Sequence, residues 1–319
     1  MAVVRYSDRA IDVPEGETLL SALEGADIAV PNSCRAGLCH SCIMVAHDSP
    51  IPEKAQAGLS SQQIAQSYFL ACQCYPESDM EVSLGDAERR YDAVMTYKEP
   101  LNQGVLRVRF KTDMPWFAGQ YTSVWKNLAD GRSFSIASMP EDGHIELHVR
   151  RRSNGVISSW LEHEMQEGDS CQLSSARGHC FYNPGAEEQT LVLAGTGTGL
   201  APLYGVARQA LANEHQGDIH LYSASGSPDQ LYLVDELVDL AGRHENFHYH
   251  RVVKREAEQD PQLHQGDLVD IVSRRHTDLK QHRIYLCGAP GMVKKLQKLS
   301  FLQGAALTDI LVDAFEAPA

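Results

Sequence analysis

Two kinds of apolar pattern divide the chain. Near the start, Val3-Val4-Arg5-Tyr6 and Ala10-Ile11-Asp12-Val13 read as a β-hairpin. Thr18 to Leu23 then reads as an amphipathic helix leading into Ile28-Ala29-Val30-Pro31-Asn32-Ser33-Cys34. From about Tyr91 to Asn183, short β-rich segments alternate with Gly/Pro turns. Examples are Val105–Phe110, Tyr121–Trp125 and Ile145–Arg150, and regular strands without long helices predict a barrel. The pattern changes at Thr190-Leu191-Val192-Leu193-Ala194, a continuous apolar run of the kind found in a buried parallel sheet. Strand–helix alternation continues through Leu203–Leu211, Ile219–Ser223, Asp235–Ala241, Tyr249–Val253 and Arg283–Leu286.

At roughly 150 residues per domain, 319 residues predict two domains, or three if one is small. A hydrophobic content of 43% is enough to bury real cores, which excludes wholesale disorder. No apolar run approaches the ~20 residues of a membrane span, and the first residues lack the pattern of a signal peptide. A cytoplasmic protein is the expectation. The formal net charge of −14 argues against a nucleic-acid partner. It is unevenly spread: −8 over residues 1–87, zero over 88–185 and −6 over 186–319.

The cysteines add chemistry. Cys34, Cys39, Cys42 and Cys72 follow the spacing C-x4-C-x2-C, x29, C, that of a plant-type [2Fe–2S] cluster. Three thiolates come from one tight loop and the fold brings in the fourth. Ser33, Ala36, Gly37 and Ser41 are small enough to let backbone amides approach the sulfurs. A four-cysteine zinc site is the competing reading, although zinc sites usually come as two C-x2-C pairs and only one pair is present. Cys74 is expected to be a neighbour without a ligand role, and His40 an exposed bystander.

Residues 1–87 resemble plant-type ferredoxins, which implies a β-grasp fold. His40 stands where that family usually has glycine. In the middle block, Arg132-Ser133-Phe134-Ser135 is followed some twenty residues later by Asn154-Gly155-Val156-Ile157-Ser158, a glycine-led turn into a short helix. Together they resemble the FAD domain of the ferredoxin–NADP reductase superfamily, an antiparallel Greek-key barrel. The resemblance implies that Arg132 holds a flavin phosphate, Phe134 lies on the isoalloxazine and Ser135 sits near N5, with Ser133 beside them. It further implies that His148, Val149 and Arg150 line the cofactor, and that Gly155, Val156 and Ser158 support the pyrophosphate.

In the last block, Gly195-Thr196-Gly197-Thr198-Gly199 joins a strand to a helix, the expected phosphate-binding arrangement of a parallel α/β domain. Cys287-Gly288-Ala289-Pro290-Gly291-Met292 resembles the superfamily's Cys-Gly-x-Pro-x-Met segment. That implies Cys287, Gly288, Pro290 and Met292 at the nicotinamide. Asp313-Ala314-Phe315 resembles the terminal acid-x-aromatic, which implies that Phe315 borders the flavin; a frayed tail is the competing reading. No lysine or arginine lies between Gln216 and Val234, where Asp229 sits, so NADH is expected rather than NADPH unless Arg208 or Lys254 reaches the ribose phosphate.

The order of the three blocks resembles the NADH-dependent reductase components of bacterial multicomponent oxygenases. It implies domains at 1–87 ([2Fe–2S] ferredoxin), 91–185 (FAD barrel) and 186–319 (NAD domain), with Ser135, Cys287 and Phe315 closest to the chemistry. Electrons would pass from NADH through FAD and the cluster to a separate Rieske dioxygenase or di-iron monooxygenase, docking on the acidic ferredoxin block of a monomer. The alternatives are a reductase acting on a bound small molecule, as in deoxysugar reductases, and a non-catalytic redox sensor or carrier.

Overall fold

The computed structural model describes residues 2–32, 34–37, 40–59, 61–84, 90–128, 130–152, 155–254 and 263–315. The hairpin forms as expected: β1 (Ala2–Tyr6) pairs antiparallel with β2 (Arg9–Val13), and alternation turns Val4, Ile11 and Val13 inward. Thr18 caps α1 (Leu19–Gly25), its hydroxyl accepting from the Ser21 N–H at 3.2 Å. The helix lays Leu19, Leu20 and Leu23 into the core, each contributing about 1.5–3 kcal/mol by burial. Then come β3 (Ile43–His47), α2 (Ser61–Ala65), β4 (Tyr68–Leu70) and β5 (Met80–Leu84). The sheet order is β2-β1-β5-β3-β4, with β5 parallel to β1.

The middle block contributes β6 (Arg90–Pro100), β7 (Val105–Thr112), β8 (Tyr121–Trp125), β9 (Gly131–Ser135), β10 (Ile145–Arg150), the single-turn α3 (Val156–Ser159) and β11 (Ser170–Ser174). All neighbours in the order β10-β7-β6-β11-β8-β9 are antiparallel. Ile136, just past β9, bridges Leu147 of β10 and brings the two edges together, which is how a barrel removes its open edges. Its core holds Met95, Val108, Phe110, Val124 and Leu147.

The last block is a parallel sheet: β12 (Leu191–Thr196), α4 (Leu200–Ala212), β13 (Ile219–Ser225), α5 (Val234–Arg243), β14 (Phe247–Val253), β15 (Leu263–Gln265), α6 (Leu268–Arg275), β16 (Arg283–Gly288), α7 (Pro290–Leu302) and β17 (Ile310–Ala314). The order β15-β14-β13-β12-β16-β17 reverses direction between β12 and β16, so a crevice opens beyond their C-terminal ends. The expected tail is a strand: β17 pairs with β16, and the Phe315 N–H donates to the Gly288 carbonyl at 2.8 Å.

Polar contacts join the blocks. Arg208 of α4 grips Asp142 through two nitrogens at 2.7 and 2.9 Å, and Arg107 of β7 reaches Glu236 of α5 at 3.1 Å. Asn32 bridges Asp130 ahead of β9. Among the described residues no helix is long and apolar enough to cross a membrane.

Candidate functional site

A cleft of about 1580 Å³ runs where the three blocks meet. Its first wall is the cysteine loop, from which Cys34 and Arg35 reach the cleft. Cys34, Cys42 and Cys72 are buried, whereas Cys39 lies outside the described residues. The loop turns tightly because Arg35, Gly37 and His40 adopt left-handed φ of 54°, 76° and 56°. His40 thus takes the conformation that glycine supplies freely, at a cost of roughly 1–2 kcal/mol for an L-residue. N–H groups converge on the sulfurs: Ala36 on Cys34 and Cys72 on Cys42, both at 3.4 Å, and the Gln73 amide on Cys72 at 3.8 Å. Hydrogen bonding from Cys42, with help from Gly37 and Gln73, lowers the Cys72 thiol to about 7 against the opposing effect of burial. Sulfurs that are buried yet surrounded by N–H donors suit anionic thiolates carrying a cluster. Among the described residues no such donor reaches the Cys74 sulfur, and burial in the apolar core raises its thiol to about 12.

The second wall is the barrel. Arg132, Ser133, Phe134 and Ser135 of β9 all line the cleft, Phe134 packing back against the barrel core. Ser133 shares a hydrogen bond with Ser123 at 3.0 Å. The Ser135 hydroxyl donates to Asp313 at 2.8 Å, across 178 positions of sequence. On β10 the outcome differs from expectation for one residue. His148 and Arg150 line the cleft, but Val149 points into the barrel and is fully buried there. Strand alternation is the reason: Ile145, Leu147 and Val149 share the inner face and Glu146, His148 and Arg150 the outer. The sequence Ile-Glu-Leu-His-Val-Arg already carries that signal.

His148 is fixed between Glu146 (3.0 Å) and the Tyr232 hydroxyl (3.3 Å). Burial works to raise the Glu146 carboxyl, but His148, Arg107 and Arg109 outweigh it and hold the group at about 2. Gly155, Val156 and Ser158 line the cleft at the start of α3, and Asn154 lies outside the described residues. The pattern reading missed Tyr121, Arg151 and Arg152 on this wall. The run Arg150-Arg151-Arg152 was the available signal for two of them.

The third wall is the nucleotide-type sheet. Thr196, Gly197, Thr198, Gly288, Pro290, Met292 and Phe315 line the cleft; Gly195, Gly199 and Cys287 do not. Gly199 serves packing instead, because a Cβ there would collide with the Cys287 carbonyl on the neighbouring strand. Gly197, at φ 55°, turns the loop toward the cleft, and the Thr196 hydroxyl accepts from the Ala289 N–H at 2.9 Å to tie both loops together. Cys287 is fully buried, with its sulfur 3.4 Å from that of Cys180; burial first, then Cys180, raises its thiol well above the usual range. Burial also raises the Asp313 carboxyl to about 6, although the Ser135 hydrogen bond pulls the other way. Of the two cations considered for a ribose phosphate, Arg208 is engaged with Asp142, while Lys254 lines the cleft, as does Asp229.

Family patterns described as a 2Fe-2S iron-sulfur cluster binding domain, an oxidoreductase FAD-binding domain and an oxidoreductase NAD-binding domain match residues 3–77, 92–182 and 193–298. The reductase subunit of an aromatic O-demethylase from Amycolatopsis sp. is 31% identical over 91% of both chains. The chain belongs to the iron–sulfur flavoprotein reductase components of bacterial oxygenase systems. The reductase is also 27% identical, over 98% of both chains, to the ferredoxin–NAD(P)(+) reductase component of a naphthalene 1,2-dioxygenase system from Pseudomonas putida. Its fold superposes on the crystal structure of an Amycolatopsis cytochrome P450 reductase with a TM-score of 0.70 and 28% identity, covering both chains fully. The reductase carries electrons from NADH through FAD and a [2Fe–2S] cluster to a separate terminal oxygenase component.

Proposed function

We propose that Cys34, Cys39, Cys42 and Cys72 ligate the cluster and that β9 with the turn into α3 seats the flavin. Arg132 takes a flavin phosphate, Phe134 lies along the ring, Ser135 meets its edge, and Gly155 and Ser158 support the pyrophosphate. When bound there, a flavin would supply the two-electron to one-electron conversion that reconciles NADH with a one-electron cluster. Thr196 to Thr198 and Gly288 to Met292 receive the nicotinamide nucleotide, Phe315 borders the ring stack, and Cys287 packs behind it. The domains are 1–87, 91–185 and 186–319. One observation carries this reading: residues from the cysteine loop, the flavin strand and both nucleotide loops line a single cleft. Anaerobic NADH is expected to bleach both flavin and cluster absorption. Flavin bleaching beside a permanently oxidised cluster overturns the reading.

The acceptor meets the ferredoxin unit of a cytoplasmic, monomeric reductase. Exposed Asp8, Asp12, Glu15, Asp27, Glu77 and Glu81 support this, as they give that unit a field complementary to a basic patch. Electron transfer to the partner oxygenase is then expected to slow as salt rises. A salt-independent rate removes the electrostatic part of the proposal.

A further inference from the structure

The far end of the parallel sheet carries a second concentration of chemistry that the electron path does not use. Asp218 precedes β13 and His220 follows it by two positions, so both side chains fall on one face of the extended chain. The parallel register sets His248 of β14 directly beside His220. One ligand atom each from Asp218, His220 and His248 lie within 4.8 Å of one another. His248 Nε2 is 3.1 Å from Asp218 Oδ1, and the rings of His220 and His248 stack with centroids 4.7 Å apart. His220 Nδ1 also meets His250 Nε2 at 3.2 Å, a contact that fixes the orientation of the His220 ring. The Asp218 and His248 side chains are 57% and 38% exposed, so an ion can enter from solvent without rearrangement of the core.

We propose that Asp218, His220 and His248 hold one divalent transition-metal ion of the zinc type, with water completing its coordination. Two imidazoles and a carboxylate form a nitrogen–oxygen donor set suited to such ions, with open positions left over. The site lies apart from the cleft. Ala224, near the other end of β13, lines the cleft, and six steps of strand from Asp218 amount to about 20 Å at ~3.3 Å per residue. The ion therefore acts on stability: it joins β13 to β14 and favours the folded NAD domain by mass action.

The test uses the oxidised holoprotein, with flavin and cluster in place, titrated with zinc by calorimetry and by thermal unfolding. The wild-type protein is expected to bind one zinc equivalent at this site and to gain a few degrees in Tm. H220A/H248A is expected to lose that equivalent and the Tm gain, and D218N, a change at an exposed side chain, to weaken binding about tenfold or more. H264A/H282A, which removes two other histidines of the same domain, is expected to keep both. NADH-dependent ferricyanide reduction is expected to be the same with and without zinc. Unchanged zinc stoichiometry in H220A/H248A, unchanged affinity in D218N, or no binding by the wild-type protein at micromolar zinc overturns the proposal.

Discussion

The two ends of the cleft hold their ionisable groups by opposite means. At the cluster end, buried sulfur is met by N–H donors, and Cys72 falls to about 7. Two residues on, Cys74 is just as buried but sits in the apolar core, where burial raises its thiol to about 12. At the other end, beside Cys287, the donors are outweighed: the Asp313 backbone N–H on the Cys287 sulfur and the Ser135 hydroxyl on Asp313 do not offset burial. Cys287 is driven up by burial and by Cys180, and Asp313 rises to about 6 with one serine hydroxyl for support. Glu146, on the barrel wall, is the counterexample: equally enclosed, it stays at about 2 because cations surround it. Burial alone therefore says little about charge; the dipoles and charges that accompany it decide. The cysteine-loop end favours anionic sulfur, whereas at the Cys287 end burial shifts both acids toward their protonated forms.

The sharpest way to break this contrast is Cys72→Ser. It is expected to abolish the cluster's visible absorption and the NADH-dependent reduction of cytochrome c, while flavin-dependent ferricyanide reduction survives. Next comes Gly199→Ala. Its new methyl meets the Cys287 carbonyl, and displacing the loop by about 1 Å is expected to slow flavin reduction roughly 100-fold in stopped flow.

Asp313→Asn acts through pH. The folded protein holds this proton more tightly than the unfolded chain, whose carboxyl titrates near 3.8. The stability it contributes is full below that value and is lost as pH rises through about 6. Asp313→Asn is therefore expected to gain in Tm relative to wild type between pH 5 and pH 8. Ser135→Ala, which removes a donor to the carboxylate, is expected to move the midpoint of that transition upward, and an unmoved midpoint breaks the assignment. The smallest effect belongs to Cys74→Ala, which should keep the cluster spectrum and cost about 1 kcal/mol in urea unfolding.

The cysteine spacing, the hairpin, the glycine loop and the order of blocks were legible because each is a local pattern: a fixed offset, a two-residue alternation or a short turn. The strand β17 was not, since five residues near a chain end look alike whether they fray or find an edge. Only the place beside β16 made them a strand. The His148 and Val149 pair lies between these cases. Alternation separates the two faces of β10, but which face is the barrel's interior depends on strands far away in sequence.

By itself, then, the sequence determined three modules, the cysteine spacing and the cofactor set, because these rest on residues close together in the chain. The tertiary structure alone decided that Ser135 donates to Asp313, that Arg208 is held by Asp142, and that Cys287 turns toward Cys180. It alone brought His248 beside Asp218 and His220. Each of these contacts spans many tens of residues or depends on strand register, and local patterning carries no record of which distant strand arrives or in what phase.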